Sequence, residues 1–270
     1  MTSIQALVLG IIQGITEFLP ISSSGHLVLV QKLWHIQGDN LLFIIFVHVG
    51  TLLAVFFAFR REITWLVKHP FSWTARMLYV ALVPTAILGA VFEELFENVF
   101  SSGGTLAAEF IITGVILWWM DSVKNGFKSE DDIRFMDALW IGTLQGIAIL
   151  PALSRSGLTI AGGMWRGLSK ETAARFSFLL SIPAILGATL VKVDDFYESG
   201  MKTVNGSLVH WEPLLVGTVV AAAAGYISIR LTLWVLKTSR FRYFAVYTWA
   251  LAAFILFDQI VTHRWFPPLF

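Results

Sequence analysis

Long apolar runs separated by short polar connections dominate the chain from about residue 41 onward. Stretches of about 18–22 apolar residues suffice to cross a ~30 Å hydrocarbon core as helices. The pattern predicts spans at about 41–59, 76–93, 105–121, 172–192, 213–236 and 243–262. Two further apolar segments do not fit this template. Residues 10–25 read Gly-Ile-Ile-Gln-Gly-Ile-Thr-Glu-Phe-Leu-Pro-Ile-Ser-Ser-Ser-Gly, and residues 142–157 read Gly-Thr-Leu-Gln-Gly-Ile-Ala-Ile-Leu-Pro-Ala-Leu-Ser-Arg-Ser-Gly. Both run from Gly-x-x-Gln-Gly-Ile through Leu-Pro into a Ser-rich turn closed by glycine, with Pro20 and Pro151 offset by one residue. Each is too short and too broken for a lipid-facing span. Non-helical backbone at membrane depth is tolerated only where protein buries it or a watery cavity receives it. Both segments are therefore expected to be re-entrant helix–turn elements.

A repeat implies two structurally equivalent half-sites. Three spans follow the first copy and three follow the second. Three is odd, so the second copy should enter from the opposite membrane face, as in an inverted-topology repeat with its site at the repeat interface. The expected fold is an all-α polytopic membrane protein with about six transmembrane helices and two re-entrant helix–turn segments. It forms a single domain over residues 1–270, with repeat halves at about 1–121 and 135–262. A shorter echo, Val83-Pro84-Thr85-Ala86-Ile87-Leu88-Gly89-Ala90 against Ile182-Pro183-Ala184-Ile185-Leu186-Gly187-Ala188, falls in non-equivalent spans and adds little.

Composition agrees with this picture. Hydrophobic residues make up 56% of the chain and charged residues 14%, with a mean hydropathy of +0.73, which excludes a soluble enzyme. A net charge of +1 without a basic tract argues against nucleic acid. The absence of cysteine excludes disulfides and thiolate metal sites. The N-terminus shows neither a basic n-region nor an Ala-x-Ala cleavage signal, so no removable signal peptide is expected. Lys and Arg concentrate in alternate connections. Arg60, Arg61, Lys68 and Arg76 lie in 60–76, Lys124, Lys128 and Arg134 in 122–136, and Lys237, Arg240 and Arg242 in 237–242. The connection 94–104 has none, and 193–212 has only Lys202 beside Asp194, Asp195 and Glu198. The positive-inside rule places the basic connections in the cytoplasm. Trp65, Trp73, Trp211 and Trp265 fall near span ends, where amphipathic rings anchor at the headgroups.

The chemistry concentrates in the two broken segments. Gln13 and Glu17 are four residues apart and share a helix face, and a carboxylate this deep in an apolar chain marks function by default. Ser22-Ser23-Ser24-Gly25-His26 follows Pro20 as a polar turn, and His26 could act as base, acid or nucleophile. His48, inside Phe-Val-His-Val, reads instead as an ordinary packing histidine. In the second copy, Ser154-Arg155-Ser156-Gly157 with Thr159 offers a guanidinium fork, hydroxyls and a turn rich in N–H groups, a set suited to phosphate. Ala161-Gly162-Gly163 permits close approach of backbone or ligand. Arg155 could also pair with Glu17 when the site is empty. The remaining charges, such as Arg60-Arg61 and Glu93-Glu94, read as solvated loop or interface residues. Together these features suggest phosphoryl chemistry on a lipid-borne substrate, with charge supplied by Arg155 and by a divalent cation at Glu17, and with a hydroxyl or His26 as nucleophile or base.

The segment Gln13-x-x-x-Glu17-Phe18-Leu19-Pro20-x-Ser22-Ser23-Ser24-Gly25-His26 resembles the first signature of the undecaprenyl-diphosphate phosphatase (BacA-type, bacitracin-resistance) family. Pro151-Ala152-Leu153-Ser154-Arg155-Ser156-Gly157-Leu158-Thr159 resembles that family's Pro-Gly-x-Ser-Arg-Ser-x-x-Thr signature. The resemblance covers essentially the whole chain. It implies hydrolysis of undecaprenyl diphosphate to undecaprenyl phosphate and inorganic phosphate, which recycles the carrier lipid for peptidoglycan. It also implies a divalent cation, Mg²⁺ or Ca²⁺, and a bacterial inner-membrane location with the site open to the periplasmic face. Carried over by position, it assigns catalysis to Glu17, Ser23, His26 and Arg155. Phosphate binding falls to Ser24, Ser154, Arg155, Ser156, Gly157 and Thr159, and the cation to Glu17 with Gln13 as an indirect ligand. The expected partners are the polyprenyl diphosphate and membrane lipid, not nucleic acid, and a homodimer is left open. Three positions depart from the usual pattern: Gln13 for Glu, Ser24 for Thr and Ala152 for Gly. The first leaves a single carboxylate for a metal. Inverted repeats with re-entrant segments are also transporter architecture, so a polyprenyl-phosphate flippase is the rival reading.

Overall fold

The computed structural model describes residues 1–36, 41–92, 102–198, 211–238 and 241–268, together with Leu95 and Val99. Glu93, Glu94, Lys202 and Arg240 lie outside the described residues. The architecture is all-α. The first repeated phrase forms α1 (Ser3–Phe18) and α2 (Ser23–Leu33), followed by α3 (Leu41–Ala58), α4 (Arg60–Lys68), α5 (Trp73–Val91) and α6 (Leu106–Met120). The second forms α7 (Phe135–Ile147) and α8 (Arg155–Trp165), followed by α9 (Lys170–Glu198), α10 (Trp211–Thr238) and α11 (Arg242–Phe257), which runs on as a π-helical turn over Asp258–Thr262.

The expected spans map onto α3, α5, α6, α9, α10 and α11 within a few residues. Two details differ. The basic connection after α3 is not a loop, because Arg60–Lys68 is helical and bent 84° from the helix before it. The 105–121 span is realised as a 15-residue helix, about 22 Å long at 1.5 Å per residue. Four described helices, or five with the bent pair, are long and apolar enough to cross a membrane unaided. Their outward positions are apolar, including Phe57, Tyr79, Ile87, Leu190, Val219 and Ile227, all exposed. Such a surface is stable in lipid. The chain is a multi-pass membrane protein.

The first repeated phrase breaks at its Leu-Pro, where the proline ring disfavours helical conformation in the preceding residue, and the second ends its helix at Ile147, three residues before Leu150-Pro151. Leu19 is accordingly extended, at φ −72° and ψ 145°. The halves exchange partners: α1 of the first packs on α10 of the second, and α7 of the second packs on α5 of the first. The shared Gly-x-x-Gln-Gly makes both contacts possible. A Cβ on Gly10 would stand 2.7 Å from the Gly217 carbonyl oxygen, and one on Gly142 would stand 1.9 Å from the Ala81 carbonyl oxygen. Small residues that let helix backbones touch drive association in membranes, where there is no hydrophobic force between helices. The segment ends are then held by core contacts. Phe18 at the end of α1 is fully buried and meets Phe178 on α9 edge-on, with ring centroids 5.5 Å apart.

The start of α7 is held by charge. Asp137 is fully buried and accepts hydrogen bonds from Lys128 Nζ (2.8 Å), Arg166 Nε (2.7 Å) and the Arg134 N–H (3.0 Å). A buried carboxylate with this many donors is satisfied, whereas one left alone would be strongly destabilising.

The α5–α7 contact makes a direct prediction. Gly142→Ala forces a Cβ into the Ala81 carbonyl and should destabilise the protein by about 1–3 kcal/mol, the usual range for overpacking. Gly187→Ala, which meets nothing within 4 Å, should not. Thermal unfolding of both variants in detergent micelles checks the contrast.

Candidate active site

The two turns meet. Ser22 Oγ donates to the Pro151 carbonyl at 2.5 Å, and Ser156 Oγ donates to the Leu19 carbonyl at 3.0 Å. Each turn is also capped from within: Ser22 Oγ accepts the Gly25 N–H (3.2 Å), and Ser154 Oγ accepts the Gly157 N–H (3.1 Å). Gly25 lets the turns touch, since a Cβ there would lie 2.7 Å from the Phe110 ring and 3.1 Å from Ala152. Ser23 and Arg155 are the first helical residues of α2 and α8. Two helix N-termini, each with its positive dipole end, therefore meet at the touching turns, an arrangement that favours an anion.

At the centre lies Glu17, buried in the last turn of α1. Its Oε2 accepts the Ser23 hydroxyl at 2.5 Å and the Gln13 amide at 3.0 Å. Its Oε1 accepts Arg155 Nη2 from the other half. The guanidinium's Nη1 is buried and has no hydrogen-bond partner among the described residues. A charged donor left bare in a low-dielectric site is costly unless a ligand completes it.

The other expected site residues take supporting positions. His26 uses both ring nitrogens: Nδ1 donates to the Ser22 carbonyl (2.5 Å), which leaves Nε2 to accept from the Tyr247 hydroxyl (2.8 Å). The two rings also stack, at 5.6 Å and 8°. Thr159 donates to the Arg155 carbonyl (2.8 Å) and meets the Ser177 hydroxyl (2.6 Å). Ser24 is half-buried in the first turn of α2. Ser22 carries φ +69°, an unusual backbone for a residue other than glycine. Such conformations cost about 1–3 kcal/mol, persist where surroundings enforce them, and cluster at functional sites.

Three residues escape a reading based on the motifs. His48 on α3 brings Nε2 to 4.0 Å from Glu17 Oε2, although its setting in sequence looks purely apolar. Glu109 and Thr113, four apart on α6, clamp the second turn. Glu109 accepts the Ala152 N–H at 2.6 Å and the Thr105 hydroxyl at 2.5 Å. Thr113 donates to the Ala152 carbonyl (2.9 Å) and accepts the Ser154 N–H (3.2 Å). The one available signal was Glu109 itself, a carboxylate inside an apolar span, which marks function or tight structural pairing by default.

Comparison with known proteins identifies the family. The family model described as bacitracin resistance protein BacA matches residues 6–254. The chain is 46% identical over 259 residues to an undecaprenyl-diphosphatase of Carboxydothermus hydrogenoformans, covering 96% of this chain and 98% of that one. It is 43% identical over 259 residues to undecaprenyl-diphosphatase 3 of Bacillus cereus, with the same coverage. It is 38% identical over 250 residues to an undecaprenyl-diphosphatase of Halothermothrix orenii, covering 92% and 95%. These relatives are named for hydrolysis, and none of them lends support to the flippase reading.

The clamp on the second turn predicts a side-chain-specific effect. Thr113→Val strands the Ala152 carbonyl and the Ser154 N–H without partners and should cost about 1–3 kcal/mol of stability. Thr113→Ser keeps both bonds and should remain near wild type, as chemical denaturation in micelles would read.

Proposed function

The chain belongs to the bacitracin resistance protein BacA family, and from that premise we propose how it hydrolyses undecaprenyl diphosphate to undecaprenyl phosphate and inorganic phosphate. The observation that carries the reading is Arg155. One guanidinium nitrogen holds Glu17 beside Ser23, and the other is buried with no hydrogen-bond partner among the described residues. The diphosphate takes the place beside Arg155, whose planar fork matches phosphate oxygens bidentately. The N-termini of α2 and α8 add positive potential from two directions.

Ser23 is the proposed nucleophile. Its hydroxyl already donates to Glu17 Oε2, so the proton passes to that carboxylate as Ser23 Oγ attacks the terminal phosphorus. The bond from phosphorus to the bridging oxygen breaks, the proton on Glu17 passes to the leaving undecaprenyl phosphate, and the phosphoryl group rests on Ser23. Glu17, ionised again, takes a proton from water as the water oxygen attacks the phosphorus; the bond to Ser23 Oγ breaks, that proton returns to the serine, and inorganic phosphate leaves. Arg155 neutralises charge on the transferring group, the main demand of a loose phosphoryl transition state. His26, tied at both nitrogens, holds Ser22 in its strained conformation and so aims Ser23.

A divalent cation fits the donors present. Glu17 supplies one carboxylate, and the Gln13 Oε1 is buried with no hydrogen-bond partner among the described residues, a hard oxygen suited to Mg²⁺ or Ca²⁺. When bound, the ion adds positive charge against the diphosphate oxygens. The alternating Lys and Arg content of the connections supports a site open to the periplasmic face of a bacterial inner membrane.

Purified protein in micelles, given undecaprenyl diphosphate labelled in its terminal phosphate, tests the assignment. Label should remain on the wild-type protein after acid quench. Phosphate release should fall at least about 100-fold in Ser23→Ala, Glu17→Ala and Arg155→Ala. Full turnover by Ser23→Ala without labelled protein would transfer the attack to water and remove the serine from this role.

A further inference from the structure

His48 sits about two turns into a helix that opens Leu-Leu-Phe-Ile-Ile-Phe-Val-His-Val-Gly, with its side chain 23% exposed. Its Nδ1 donates to the Ile44 carbonyl at 2.7 Å. That bond fixes the tautomer of the neutral ring and leaves Nε2 an acceptor with no hydrogen bond among the described residues. The bare nitrogen faces Glu17 Oε2 at 4.0 Å. Two electron-rich atoms thus confront each other, the carboxylate buried and the imidazole partly exposed. The separation is within reach of two ligands sharing one ion at about 2.0–2.2 Å each. A third bare acceptor, Gln13 Oε1, is buried one helical turn before Glu17. Ligating histidines typically donate their second nitrogen to a carbonyl or carboxylate, which sets ring orientation and basicity. His48 already makes that bond.

We infer that His48 is a nitrogen ligand of the cation at Glu17, completing with Gln13 a carboxylate–amide–imidazole set that prefers Mn²⁺ to Mg²⁺ or Ca²⁺. The inference rests on the proposed reading that a cation works at this site. Its physical basis is the donor set. Mg²⁺ and Ca²⁺ are hard ions that favour all-oxygen shells, whereas an imidazole raises the relative affinity of first-row transition ions. A chain with Gln at position 13 has one carboxylate fewer to hold a hard cation, and His48 supplies a neutral ligand in its stead.

Mn²⁺ binding to detergent-solubilised protein, read by loss of the free-ion paramagnetic resonance signal, tests this without turnover. Wild type should bind Mn²⁺, and a tenfold excess of Mg²⁺ or Ca²⁺ should displace little of it. His48→Ala should weaken Mn²⁺ at least about tenfold. His48→Gln retains a donor for the Ile44 carbonyl but offers an oxygen ligand, so it should fold as wild type and lose the preference for Mn²⁺. Unchanged affinity and preference in both His48 variants, with binding lost in Glu17→Ala, would overturn the role of His48 while leaving a cation at Glu17. Unchanged binding in Glu17→Ala as well would remove the cation from the site altogether.

Discussion

The buried contact between Glu17 and Arg155 is the interaction on which the rest of this structure depends. Taking both charges out of water costs several kcal/mol per ion, and mutual attraction offsets this only when further hydrogen bonds complete the pair. Ser23 and Gln13 provide that completion on the carboxylate side. On the guanidinium side completion is partial, because Nη1 remains bare. The pair is thus stable enough to join the two broken segments and unsatisfied enough to open for an anion. In the proposed mechanism, Glu17 at rest stands where a phosphate competes for Arg155, and substrate binding releases the carboxylate at the moment a base is needed beside Ser23.

Such a pair needs its two turns held within hydrogen-bond reach, and the surrounding structure supplies this unequally. The first turn is strained at Ser22, whose φ of +69° is enforced by bonds to Pro151 and Gly25 and by His26 against Tyr247. The second turn is relaxed at the equivalent Ser154, with φ −71°, and is instead gripped from outside by Glu109 and Thr113. The strained turn carries Ser23, the proposed nucleophile, whose direction must be set closely. The clamped turn carries a long, flexible arginine, for which the anchoring of its base matters more than its exact backbone angle.

Much of this was legible in the sequence, and the reasons are physical. Span positions followed from apolar length alone, since a membrane forces helices of nearly fixed extent. The Leu-Pro breaks and the Ser-Gly turns announced the two broken segments, and Glu17, Ser23 and Arg155 were identifiable because polar groups at membrane depth need a cause. The helical bend into Arg60–Lys68 was hidden, because four charges in a short connection look like a loop, while an amphipathic helix can lie along the interface. His48 was hidden for a different reason. Its sequence neighbours are all apolar, and its relevant neighbour, Glu17, reaches it from another helix. Thr113 was equally silent, since a threonine in an apolar helix more often bonds to its own backbone.

The differences between the two copies explain why duplication yields a reactive site. The shared glycines serve packing, and the shared Ser22 and Ser154 serve capping. At equivalent first positions of α2 and α8, however, one copy has Ser23 and the other Arg155, and where one has Glu17 the other has Ile149. Two copies of the first segment would bring carboxylates together, which repel each other and the diphosphate. Two copies of the second would gather arginines that bind an anion tightly but offer nothing to attack it. Uniform binding of this kind does not accelerate chemistry. One copy of each places the proposed nucleophile and its base against a fixed positive charge, and the shared packing residues keep that unlike pair in register.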